Sequence, residues 1–228
     1  MSETQDWDTF FSDMETGDVI LMHGLFNSSI FIEAVSECDY SHAAIVVMSQ
    51  DIDVGGIEPG IPLLFESNIE SAPNPNHYKV EDVILHKAKS GPILDLLRQR
   101  ISVNYALKDD SNVAKRKLKV SRNPEMYAQL KQVISAIHAD DFPAIPVGEM
   151  TNYLKGRLAN SPVTDSSFFC SQLVAHTYKA WGLLTSEHVD NSYAPACFAD
   201  GKWQVALEGS ANLGPPILLD TSTIPAPE

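Results

Sequence analysis

The chain has 228 residues, 44% of them apolar and 20% charged, which excludes a disordered polymer and suits one sizeable folded domain. Its formal net charge of −14 disfavours phosphate backbones and anionic bilayers, so no nucleic acid is expected as a partner. Nowhere does it hold the roughly eighteen consecutive apolar residues of an integral membrane segment.

Residues 1–16 read as a polar N-terminal segment, without the basic start and apolar centre of an export signal. A cytoplasmic, reducing location is therefore expected. Cys38, Cys170 and Cys197 agree with it, being odd in number and too widely spaced for a disulfide framework or a zinc site. Gly17 and Asp18 signal a turn, and Val19 to Met22 a buried strand. Asn27 to Cys38 has helical apolar spacing at Ile30, Phe31, Ala34 and Val35. Ala43 to Met48 is a continuous β-rich run typical of a central strand. Asp51 to Pro62 reads as a loop or hairpin connection, Leu63 to Glu66 as the next strand, and Val80 to His86 as another.

Beyond residue 87 the character changes. Pro92 is placed to open a helix through Arg100. Lys115, Arg116, Lys117, Lys119 and Arg122 form a basic cluster, read as a solvated face, with a site for an anionic substrate as the alternative. Leu118 to Arg122 alternates like a short half-exposed strand. Asn123 caps a helix with Pro124 in its first turn and an apolar stripe at Met126, Leu130, Val133, Ile134 and Ile137. A further helix is expected over 148–158. The last runs from Cys170 to a stop at Gly182, with Asp165, Ser166 and Ser167 as capping candidates. The tail, 213–228, is proline-rich and expected on the surface. Strands first and helices after give an α+β fold class.

Among the cysteines only Cys170 sits at the start of a clear helix. Unpaired N–H groups and the helix dipole there favour a thiolate, and the Cys170 backbone N–H can help hold an oxyanion. Taken alone, a cysteine beside Phe168 and Phe169 reads more often as an inert core residue. The base must come from seven histidines. His176 lies six residues along the same helix and points elsewhere. His77, His86, His138 and His188 have nothing to recommend them, and His23 is a weaker candidate. His42 opens the most apolar strand, where a scaffold holds an imidazole rigidly, though by composition it is equally a buried structural histidine. Glu66 ends the neighbouring apolar strand, from which a carboxylate can fix the imidazole tautomer; its bland reading is a solvent-facing strand end.

Taken in order, Gly17 to Leu21, Ser41 to Val46, Leu64 to Ser67 and Phe168 to Ala175 resemble the successive signatures of the permuted NlpC-type, papain-like cysteine peptidases. Trp181 to Leu184 and Tyr193 to Pro195 extend the likeness, which spans Gly17 to about Phe198. The order His42, Glu66, Cys170 is similar to that of the permuted (YiiX-like) branch, related to the lecithin:retinol acyltransferase-like enzymes. The resemblance implies a circularly permuted papain-like fold, an antiparallel sheet packed against the helix bearing the nucleophilic cysteine. It implies a single domain over 17–212 with a helical insertion around 87–165. It also implies a Cys170–His42–Glu66 triad, with Tyr193 and His23 as substrate-binding candidates. The expected activity is peptidase or amidase chemistry on a peptide or amino-acid-containing small substrate, through a thioester acyl-enzyme, with no cofactor and no metal. Acyl transfer or thioester cleavage of the lecithin:retinol acyltransferase-like kind is the alternative within the fold. A non-catalytic small-ligand-binding module is the alternative outside enzymes.

Overall fold

Three adjacent strands, β2 (Val19–Gly24), β3 (His42–Met48) and β4 (Pro62–Asn68), carry apolar residues at both odd and even positions. Side chains alternate across a strand, so such a sheet must be covered on both faces. In the computed structural model, which describes residues 3–24, 38–68, 80–107, 110–138, 155–162 and 168–226, it is. Val19, Leu21, Ala43, Ile45, Val47, Leu63 and Phe65 face one core; Ile20, Met22, Ala44, Val46 and Leu64 face the other.

Among the described residues the sheet has seven strands, in the order β1 (Glu3–Gln5), β9 (Ile217–Leu219), β6 (Asp110–Arg116), β2, β3, β4, β5 (Gly91–Leu96). Every neighbouring pair is antiparallel except β1 (Glu3–Gln5) with β9 (Ile217–Leu219). A two-residue ladder, β7 (Leu118–Lys119) with β8 (Asn212–Leu213), stands apart. The first core is closed by two helices, Pro124–Ile137 and Cys170–Ala180. Asn123 caps the first of these through the Met126 N–H (2.9 Å), and Met126, Leu130, Val133, Ile134 and Ile137 are its buried residues, as the apolar stripe requires. Leu173, Val174, Ala175 and Tyr178 anchor the second, each fully covered; burying one Leu or Val side chain contributes about 1.5–3 kcal/mol. A Schellman turn ends it: Leu183 N–H reaches the Tyr178 carbonyl and Gly182 N–H that of Lys179, with Gly182 at φ 68°.

Several expectations need correction. Gly91–Leu96 is strand β5, and the helix begins only at Leu97, running to Leu107. Pro92 is tolerated because β5 is the edge of the sheet, where a missing N–H breaks no ladder. Val80 to His86 is a turn, not a strand. The Asp82 carboxylate accepts the Ile84 and Leu85 N–H groups (2.9 and 2.7 Å), pulling the chain round, and His86 takes φ 52°. Ser49–Ile52 is a single helical turn at the head of the expected loop. The strand over 118–122 keeps only its first two residues.

Apart from exposed Lys119, the basic cluster is not a solvated face. Lys115 and Arg116, on β6 (Asp110–Arg116), are fully buried. Lys115 donates to the Phe10 carbonyl (2.6 Å) and pairs with Asp13 (2.5 Å). Arg116 donates to the carbonyls of Gly214, Phe198 and Leu213 (2.7, 3.0 and 3.0 Å). Lys117 and Arg122 both pair with buried Asp18 (2.8 and 3.1 Å). These cations therefore staple the two chain ends to the sheet. The ends are correspondingly integral: Trp7, Phe10, Phe11 and Met14 fill the second core, and the tail supplies β9. The segment 87–165 is likewise not purely helical, since β5 and β6 both belong to the main sheet. The expected helix over Asn27 to Cys38 (all but Cys38), most of that over 148–158 and the capping candidates Asp165 to Ser167 lie outside the described residues, although 155–159 are helical.

Candidate functional site

His42 is the first residue of β3 and shares the face of Ala44 and Val46; Glu66 shares the face of Leu64. Register pairs Ile45 with Phe65, so one step further along the ladder these two side chains meet diagonally. His42 Nε2 lies 2.5 Å from Glu66 Oε2. Glu66 is fully buried, while the His42 side chain is 17% exposed. Arg100, on the Leu97–Leu107 helix that packs on the same face, donates from Nε to Glu66 Oε1 (2.5 Å) and from a terminal nitrogen to Oε2 (3.5 Å).

Cys170 is brought to this point by the start of its helix. The Ser67 hydroxyl, adjacent to Glu66 in sequence, donates to the Phe168 carbonyl (2.5 Å) and ties the helix entry to β4. The Gln172 side chain accepts the Phe169 N–H (3.5 Å), half of a capping box whose other half a phenylalanine cannot supply. The Ser171 hydroxyl donates to the Tyr193 carbonyl (2.8 Å). Far along the helix, the Tyr178 hydroxyl donates to the carbonyl of Gly17 (2.7 Å). Gly17 has φ 98°, and a Cβ there would meet Leu118 at 2.8 Å. Cys170 Sγ is buried and lies 3.9 Å from the Ser41 carbonyl, one residue from His42. Cys170, like Glu66, is close enough to act on the His42 ring. With Nε2 given to the carboxylate, Nδ1 is the nitrogen left for sulfur.

Charge follows geometry. Burial works against a protonated His42, but the Cys170 thiolate and then Glu66 outweigh it, raising the ring from 6.5 to about 10. Burial alone would raise the Glu66 carboxyl; Arg100 and His42 overcome it and hold Glu66 well below the usual carboxylate range. Cys197, elsewhere in the core, is buried, and burial pushes its thiol up.

Chain positions 42, 66 and 170 therefore converge. The contacts described for Tyr193 and His23 are with other residues. Tyr193 is 6% exposed, its ring packed beside Phe198 at 6.2 Å and under the Lys179 ammonium. His23 follows Met22 on β2 and donates to the Asp39 carbonyl through Nδ1 (3.2 Å). Arg100 and the buried Asp95 of β5 belong to the cluster and escaped sequence reasoning. Their signal was a carboxylate amid Ile93, Leu94, Leu96 and Leu97, hidden by reading Pro92 as a helix start. Among the described residues no group of three or more His, Cys, Asp or Glu side chains is placed to hold a metal ion, and no helix is long and apolar enough to cross a membrane.

No family profile matches the chain, and no curated protein matches it. Among solved structures, the chain is similar to the crystal structure of metalloprotein yiiX from Escherichia coli O157:H7, at 16% identity and a TM-score of 0.43. The alignment covers 72% of this chain and 64% of that one.

Proposed function

We propose that the protein is a cysteine-dependent hydrolase that cleaves an amide bond of a peptide or amino-acid conjugate, with Cys170 as nucleophile, His42 as acid and base, and Glu66 orienting the ring. One observation carries this reading: His42 has at once the thiol of a helix start close enough to act on its ring and a buried carboxylate 2.5 Å from Nε2. A structural histidine needs the second partner but not the first.

The chemistry runs as follows. The Cys170 thiolate adds to the substrate carbonyl carbon, and the oxyanion is held by first-turn N–H groups of the helix, including that of Cys170, which lack intrahelical acceptors. Imidazolium His42 gives its proton to the departing amine, leaving a thioester on Cys170. Neutral His42 then takes a proton from water, hydroxide adds to the thioester, and collapse releases the acid and restores the thiolate. Glu66 keeps the ring in one tautomer and favours its protonated form throughout.

Intact-mass detection of an adduct after exposure to peptide, lipid and thioester electrophiles tests the proposal and reports the substrate class. Cys170→Ala is expected to abolish the adduct while the melting temperature stays near that of the native chain. An undiminished adduct in that variant removes Cys170 from the role.

A further inference from the structure

Asp95 projects from β5 onto the face that carries Glu66: register pairs Asp95 with Leu64 and Glu66 with Ile93, so the two carboxyl groups are diagonal neighbours on one side of the sheet. Asp95 is fully buried, and among the described residues neither of its oxygens meets a hydrogen-bond donor. Its side-chain neighbour is the carboxylate of Glu66, which can only accept. A buried ionised carboxylate with no donor is among the costliest groups a core can hold.

An ionised Asp95 would also set a second negative charge beside Glu66, whose carboxylate already takes up Arg100 and His42.

We propose that Asp95 keeps its proton and donates it to Glu66, so that the group orienting His42 is a carboxylic acid–carboxylate pair clamped by Arg100. Burial raises the Asp95 carboxyl well above its ordinary value, and Glu66 adds to this against the pull of Arg100 and His42. The titratable and charged groups facing the pair are Arg100, His42 and, through His42, Cys170. Asp95 is thus a positioning residue. Its donated hydrogen bond leaves Glu66 charged and turned toward Nε2, and excludes the alternative in which Glu66 takes the proton and releases the ring.

This role rests on the triad proposed above, whereas the protonation state does not, and two readouts separate them. The first is the C=O stretch of a protonated carboxylic acid in the infrared difference spectrum of native protein minus Asp95→Asn at neutral pH. The second is the pH profile of Cys170 alkylation by iodoacetamide, read from the mass of the peptide that contains it. An asparagine amide mimics the neutral acid, so Asp95→Asn is expected to lose the infrared band and keep the native alkylation profile. Asp95→Leu removes the donor and is expected to slow Cys170 alkylation at neutral pH on the order of tenfold, one unit of displaced ionisation. Absence of the band, or a displaced profile in Asp95→Asn, overturns the shared proton. A native profile in Asp95→Leu overturns the positioning role. A Cys170 no more reactive than an ordinary thiol, with the band present, defeats the proposed hydrolase and leaves the acid–carboxylate pair standing.

Discussion

His42 lies 2.5 Å from Glu66 and His138 lies 2.6 Å from Asp82, both carboxylates being buried, yet the two pairs are built for different ends. Asp82 is saturated by backbone: it accepts the N–H groups of Ile84, Leu85 and Leu94 (2.9, 2.7 and 2.9 Å) before His138 is added. It nails a turn against β5, and His138, the C-cap of its helix, is the clip that joins that helix to the turn. Glu66 is held by side chains instead, Arg100 on one side and His42 on the other, and the Cys170 thiol is close enough to act on the His42 ring. A histidine–carboxylate contact therefore says little by itself. What fills the other valences of both groups decides whether the pair fastens or reacts.

The comparison is broken most decisively by removing each histidine. His42→Ala is expected to lower kcat about 10³-fold, as loss of a general acid–base does, and also to lower stability, because buried Glu66 loses a partner. His138→Ala is expected to leave kcat unchanged and lower stability by about 1–3 kcal/mol, because it unmakes a buried charge-assisted bond. Denaturant unfolding and steady-state kinetics on the two variants check both. Equal kinetic losses would erase the distinction.

Removing the carboxylates' other partners gives the next effect in size. Arg100→Leu strands a buried charge beside His42 and is expected to cost about 3–5 kcal/mol together with activity. Asp82→Ala leaves backbone donors without their acceptor and is expected to cost roughly 2–3 kcal/mol with activity per folded molecule retained.

The smallest expected effects are in pH dependence, where the two pairs act at opposite ends. Burial would raise Asp82, but His138 and the backbone donors outweigh it and lower the carboxyl below 3.8. Its contribution to stability is present above that ordinary value and is lost as pH falls through the lowered one. His42 is raised to about 10, so its contribution is complete below 6.5 and disappears as pH rises through about 10. Melting temperature against pH should accordingly lose part of its acid limb in Asp82→Ala and part of its alkaline limb in His42→Ala. Because the Cys170 thiolate is what most raises His42, Cys170→Ala should also shrink the alkaline limb.

Much of the helical framework was legible in the chain. Asn123, Pro124 and the stripe from Met126 to Ile137 specify a helix locally, through a cap, a fixed φ and a 3.6-residue period. Gly182 stops the cysteine helix for the same kind of reason. Strands β2, β3 and β4 were visible as apolar runs, since a sheet covered on both faces leaves no room for polar alternation. The elements that failed are those whose conformation depends on partners. Pro92 is acceptable in β5 only because nothing pairs beyond it, and Ile84 and Leu85 form a turn only because Asp82 captures their N–H groups.

The sequence by itself determined a thiol at a helix start, an imidazole at the head of an apolar strand and a carboxylate at the end of the next, because each placement rests on local periodicity and capping. Tertiary structure alone decided that Lys115 and Arg116 are interior staples, that the two ends of the chain close the sheet, and that Arg100 and Asp95 surround Glu66. The reason is physical. A charged side chain carries no mark of whether it will meet water or a buried partner; only strands and helices distant in sequence, once packed, supply the acceptors that make its burial tolerable.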